Sequence, residues 1–357
     1  MPSRLALALV AVPAACLVGA SSAPAATPHL EQPARLEIGR MPRAVSDRTL
    51  PASSRSARAS LPVGAWGGVQ TASTGDRVIL YASASYPQDP AELQRWADFL
   101  ASLVHGAEIS NLTMYLAPLP EVQQLCGPNA SACYGESLLV APGEDLPDGT
   151  STEAVVTHEY GHHVAASRDD APWAAVDWGT KRWATYEAVC PRANTSQLFP
   201  GDEGVNYRRN PGEAFAESYR VLNERMAGVD EAPWQVVDRL LYPDDQALAL
   251  LEQDILEPWA PSAPARFGGS LTRAKPSRTL TVGTSLDGTF RVTLHAPPKA
   301  RYSLVVLTLA GAAAGRATTS AGGSVVVRAT VCGTRTYRLK VTRIIGAGTY
   351  SMVVSKP

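Results

Sequence analysis

Three of the chain's six histidines fall in the string Thr157-His158-Glu159-Tyr160-Gly161-His162-His163-Val164. On an α-helix, residues four apart lie about 40° apart around the axis and about 6 Å apart along it, so the imidazoles of His158 and His162 can converge on one cation. Glu159, one step round the helix, is then placed to take a proton from a water on that cation, whose pKa a metal lowers toward about 7. The spacing points to a two-histidine metal clamp beside a general base. Ala154, Val155 and Val156 before the motif, with Val164 and Ala165 after it, supply the apolar flanks of a helix packed in a core. His163 points about 100° away from His162, so it is expected in the core or in support of the site rather than on the ion.

A hydrolytic zinc takes three protein ligands and leaves a fourth position for water. A histidine six beyond His162 would be residue 168, which is Arg168, a permanent cation with no lone pair to donate; the glycine of the same pattern is replaced by Ala165. A Gly-Thr-x-Asp ligand is also missing, because Gly179-Thr180-Lys181 is followed by Arg182. What remains is Asn210-Pro211-Gly212-Glu213-Ala214-Phe215-Ala216-Glu217-Ser218-Tyr219-Arg220. Pro211 suits a first helical turn, and Glu213 and Glu217 share one face at the same four-residue spacing as the histidines. Two carboxylates so placed repel unless a cation lies between them. Beside a metal-histidine cluster, Glu213 would complete the coordination and Glu217 would accept the free N–H of a ligand histidine.

The pair of strings, His-Glu-Tyr-Gly-His and then Glu-Ala-Phe-Ala-Glu, resembles the gluzincin branch of zinc metallopeptidases. The E-x-x-A-E form is closest to the catalytic domain of anthrax lethal factor and related small secreted peptidases. That resemblance implies a zincin-like metallopeptidase domain with one Zn2+ per chain, ligated by His158, His162 and Glu213. It further implies Glu159 as general base and later proton donor, and Glu217 as the group that orients His158. In lethal-factor-like members a tyrosine shortly before the ligand glutamate helps to stabilise the oxyanion. Tyr207, six residues before Glu213, takes that place here, with Tyr219 as a substitute. The resemblance covers roughly residues 150–223 and implies a peptide or protein substrate without specifying it.

The elements that must hold these residues read as an α+β domain over residues 63–261. Arg77 to Ala82 is an expected strand, and 89–105 an expected helix that opens at Pro90 with Leu93, Trp96, Leu100 and Leu103 on one face. Strands follow at 112–116 and 137–140, then helices at 151–167, 211–223 and 234–255, so strands precede helices. Trp173, Trp178, Trp183 and Tyr186, between the two motif helices, are expected in the core rather than along a cleft. Over residues 262–357, alternating runs at 290–294, 302–309, 324–331, 337–341 and 350–354 recur about every ten to twelve residues and predict a small all-β sandwich. Its one histidine, His295, and its lack of a carboxylate cluster leave it without assigned chemistry.

A chain of 357 residues, 45% apolar and 18% charged, can bury two cores, which excludes a disordered or fibrous protein. With 32 basic against 33 acidic residues there is no chain-wide cationic field, so no nucleic-acid partner is expected. Arg4, the apolar run Leu5 to Ala20 broken at Pro13, and Ala23-Pro24-Ala25-Ala26 predict a signal peptide over 1–26 and a secreted, extracellular chain without stable membrane insertion after its removal. Lipid anchoring at Cys16 is a lesser alternative. Residues 27–62, rich in Pro, Ser, Ala and Arg, read as a disordered linker or a cleavable pro-segment. Export makes Cys126, Cys133, Cys190 and Cys332 an even set in an oxidising compartment. A disulfide is predicted for Cys126–Cys133; Cys190 and Cys332 are either a second one or two buried thiols.

The expected function is that of a secreted zinc-dependent endopeptidase. Two other classes use the same residues: a secreted zinc amidase acting on another substrate class, and a non-catalytic zinc-stabilised binding protein. A structural zinc is normally closed by four protein ligands, however, and has no use for Glu159. The oligomeric state is not indicated.

Overall fold

Alternation in Arg77–Ala82 turns Val78, Leu80 and Ala82 inward, and this strand (β2) pairs antiparallel with Trp66–Thr71 (β1). The computed structural model containing them describes residues 61–357. The expected signal at 1–26, Cys16 and nearly all of the 27–62 spacer lie outside the described residues. Helix α1 (Pro90–Ser102) starts where the Asp89 side chain accepts the Ala91 N–H, and it buries Leu93, Trp96, Ala97 and Leu100. Next come β3 (Thr113–Ala117), α2 (Leu119–Cys126), β4 (Cys133–Gly135) and β5 (Leu138–Pro142). The five strands form one sheet in the order β1-β2-β3-β5-β4, parallel at its centre and antiparallel at both edges.

The helical part follows. Ser151 caps α3 (Thr152–Ala166) by accepting the Ala154 N–H. Three short helices, α4 (Ala175–Trp178), α5 (Lys181–Tyr186) and α6 (Val189–Asn194), lead to α7 (Pro211–Ala227), which Asn210 caps and Gly228 ends in the left-handed conformation at φ +68°. The expected helix over 234–255 is shorter than predicted. Pro243 disfavours a helical Tyr242, and Asp244 caps the true start of α8 (Asp245–Leu256) through the Ala247 N–H, leaving a 3-10 turn at Arg239–Leu241. The aromatic expectation also needs correction. Trp183 is in the core, edge-on to Phe215 at 5.3 Å, but Trp178 only flanks it, stacked on a half-buried Trp173, and Tyr186 is exposed with its hydroxyl donated to Asp244.

The last region is entirely β: β6 (Ala265–Leu271), β7 (Ser277–Thr284), β8 (Gly288–His295), β9 (Arg301–Thr308), β10 (Ala313–Thr318), β11 (Ser324–Val331), β12 (Arg335–Ile345) and β13 (Gly348–Ser355). They form two four-stranded sheets, β10-β9-β12-β7 and β11-β8-β13-β6. Phe290, Val292 and Leu294 from one sheet share a core with Tyr302, Leu304, Leu339 and Val341 from the other. The chain is therefore mixed α+β with several sheets. Cysteines 126 and 133 form a disulfide around the α2–β4 loop, and Cys190 on α6 is bonded to Cys332 after β11. Two disulfides fit an extracellular or periplasmic environment. No helix among the described residues is long and apolar enough to cross a membrane.

Candidate metal centre

Helix α3 is buried on nearly every side, from Ala154 through Ala165, so its polar residues are inside the protein and must find partners there. Gly161 makes that possible. A Cβ built at this position would lie 2.8 Å from the Ala216 Cα and 3.1 Å from the Tyr219 Cβ, so only glycine lets the backbones of α3 and α7 approach this closely. The approach brings His158 and His162, one turn apart on α3, against Glu213 at the start of α7.

Both histidine Nε2 atoms lie 3.4 Å from the same oxygen, Glu213 Oε2. The two imidazole centroids are 5.0 Å apart. His158 is 5% exposed, and His162 and Glu213 are fully buried. One ligand atom from each of the three lies within 4.8 Å of the other two. A tetrahedral zinc with ligands at about 2.0–2.1 Å separates neighbouring ligand atoms by about 3.3–3.4 Å, so the two Nε2–Oε2 edges suit such an ion. Two imidazoles and one carboxylate are a donor set that binds a divalent metal and leaves a corner for water. The fold thus presents a buried three-residue group suited to a metal ion.

The carboxylate of Glu217, one turn after Glu213, faces the opposite ring nitrogen: its Oε1 is 3.5 Å from His158 Nδ1. Its other oxygen receives two bonds from Arg220, Nε at 2.9 Å and Nη2 at 2.5 Å. Burial works to raise the Glu217 pKa, but hydrogen bonding to His158 and the Arg220 charge outweigh it, and the carboxyl is held below its usual range. Arg220 reaches on through Nη1 to Glu224 Oε2 at 2.5 Å, where burial prevails over the guanidinium and the pKa is raised. A buried charge relay therefore runs His158–Glu217–Arg220–Glu224. Arg220 was present in the motif string, three residues after Glu217, and that helical spacing was the signal that could have found it.

Tyr207 lies on a 3-10 turn just before α7, and its hydroxyl donates to Glu213 Oε2 at 2.9 Å, the oxygen that both histidines face. Tyr219 is elsewhere. Its hydroxyl donates to the Val104 carbonyl at 2.7 Å, which removes it as the substitute for Tyr207. Glu159 is 1% exposed on α3 between His158 and His162. His163 is a core bridge: Nε2 is 2.8 Å from the Glu108 carbonyl oxygen, an acceptor only, so Nε2 carries the proton and Nδ1 accepts the Tyr134 hydroxyl at 3.1 Å. Its burial lowers the pKa, consistent with a neutral ring.

No protein-family model matches this chain. No curated protein matches it either. Similarity to solved structures is slight. The pre-peptidase C-terminal domain of a collagenase from Bacillus anthracis is 16% identical over 26% of this chain and 88% of its own, with a TM-score of 0.24. The mitogen of Yersinia pseudotuberculosis is 13% identical over 28% and 88%, with a TM-score of 0.22. PliG, a periplasmic inhibitor of g-type lysozyme from Aeromonas hydrophila, is 16% identical over 26% and 84%, with a TM-score of 0.21. At these scores the chemistry of the centre rests on its own geometry.

Proposed function

We propose that the chain is a secreted zinc-dependent endopeptidase of the gluzincin kind, with His158, His162 and Glu213 as ligands. The observation that carries this reading is the meeting of both Nε2 atoms on one buried Glu213 oxygen, with a candidate base, Glu159, on the same helix. Zinc held by these residues would supply Lewis acidity to a scissile carbonyl and would lower the pKa of a water. Glu159 takes the proton of the attacking water and returns it to the departing amine. Tyr207, whose hydroxyl already reaches the ligand carboxylate, donates a hydrogen bond to the oxyanion as charge develops on it. Glu217, pinned by Arg220, keeps the His158 ring turned with Nε2 toward the centre.

The test is a pair of variants examined for both metal content and cleavage of a broad peptide library. Glu159→Gln is expected to keep about one zinc per chain and to lose cleavage by about 10²–10⁴-fold or more. Glu213→Ala is expected to lose the metal. Unchanged cleavage by Glu159→Gln would refute the assigned base, and a zinc-loaded wild type that cuts no peptide would refute the peptidase reading.

A further inference from the structure

The near-neutral total hides a division of charge. Residues 61–261 carry eleven lysines and arginines against twenty-nine acids, whereas residues 262–357 carry fourteen against one. The β region thus has a formal charge of +13. Its single acid, Asp287, is 3% exposed and accepts the Gly333 N–H, and the cations it faces are Lys181 and Arg335. The outward face of the β11-β8-β13-β6 sheet shows the consequence most sharply. Arg328 on β11 stands directly opposite Arg291 on β8, both exposed, and Arg266 on the edge strand β6 adds a third cation. Like charges directly opposite each other destabilise a sheet, and no carboxylate on this face relieves them. Hydroxyls fill much of the remainder: Thr289 faces Thr330, and Ser324 and Ser351 flank His295.

We propose that this face docks an anionic polysaccharide, a hydroxyl-rich chain bearing sulfate, phosphate or uronate groups. Opposed guanidiniums offer two adjacent forks for such anions, and the serine and threonine rows match sugar hydroxyls. Single-stranded nucleic acid is bound largely by stacking bases on exposed aromatic rings, but Phe290, Tyr302, Tyr337 and Tyr350 are all turned into the core. The acidic 61–261 region repels the same polyanion, so binding holds the molecule by its β region. This surface is separate from the metal centre and does not depend on it.

Binding of the full chain to heparin, polygalacturonate and neutral dextran, measured by calorimetry at about 50 and about 200 mM salt, tests the proposal. Both anionic glycans are expected to bind, dextran is not, and affinity is expected to fall about tenfold or more at the higher salt. The double variant Arg291→Ser with Arg328→Ser is expected to lose about tenfold or more while melting no lower than wild type. Arg316→Ser with Lys340→Ser, on the other sheet, is expected to lose less than about threefold. Equal binding by the first variant, or a wild type that binds single-stranded DNA, anionic vesicles or only further copies of itself in place of the glycans, would overturn the assignment.

Discussion

The two structured regions treat charge in opposite ways. In the first, Glu213, Glu217 and Arg220 are at most 3% exposed, beside the equally buried His162. In the second, Phe290, Val292, Leu294, Leu304 and Leu339 fill the interior with no exposure at all, and the cations stay outside. Burying an ion costs several kcal/mol unless it is paired and hydrogen-bonded. The first region accepts that cost at several places, where Glu108 meets Arg168, Asp254 meets Arg182 and Asp170 meets Lys181, and at the α3–α7 contact the relay from His158 to Glu224 offsets it. The second region has an apolar core and carries its cations on the surface, with Asp287 as its one acid. At the α3–α7 contact the buried charge surrounds the candidate metal centre, whereas in the β region the charge lies on the surface.

The disulfides allow the largest test of how separate the regions are. Cys126–Cys133 closes a separation of 7 residues inside the first region, and Cys190–Cys332 closes 142 and joins the two. Loop-closure entropy makes loss of the longer constraint costlier by about 2–3 kcal/mol. In denaturant titrations, Cys190→Ser with Cys332→Ser is expected to lose that much more stability than Cys126→Ser with Cys133→Ser. Because each region has its own core, the single transition should also divide in two. An equal or smaller loss would mean that the contact between regions is held by packing and not by the covalent link.

Breaking the relay should be felt at the metal and nowhere in the β region. Glu217→Gln is expected to weaken zinc binding about 10- to 100-fold in a chelator competition, because the ring of His158 loses a charged acceptor. Arg220→Lys keeps a positive charge but loses the fork that holds Glu217 Oε2, so a smaller loss of about threefold to tenfold is expected. Glycan affinity should not change in either variant. Wild-type zinc affinity in Glu217→Gln would remove the orienting role.

How far each region could be read from its residues follows from the same contrast. The β region declared itself by alternation in β8, β9 and β11 to β13. Three strands escaped, β6, β7 and β10, because sequences such as Ala313-Ala-Gly-Arg-Ala-Thr318 are too small and polar for the period to show. In the first region periodicity was a poor guide to α3, which is buried all round and has no stripe. Spacing of chemical types served instead: the four-residue steps 158–162 and 213–217 placed the candidate ligands on facing helices. What no local pattern could supply was the approach of those helices at Gly161, the neutral bridging role of His163, and the continuation of the relay through Arg220. Each depends on a neighbour distant in sequence. The average net charge misled in another way, since it cancelled two regions of opposite sign.

The smallest expected effect lies near the covalent link between the regions. Glu187 follows α5, three residues before Cys190, and burial raises its pKa to about 7 against the opposing charge of Arg192. A carboxyl whose pKa is higher folded than unfolded binds its proton more tightly in the native state. Its contribution to stability is therefore fully present below about pH 4.5 and is lost as the pH rises through about 7. Glu187→Gln imitates the protonated form at every pH. Relative to wild type, it is expected to stabilise the chain by about 2 kcal/mol at pH 8 and by close to nothing at pH 4. Taking the difference between the two proteins at each pH removes the titration of the other groups they share. A difference that stays flat from pH 4 to pH 8 would show that the Glu187 carboxyl is ionised at no cost, and that this border carries no buried charge of the kind the metal centre carries.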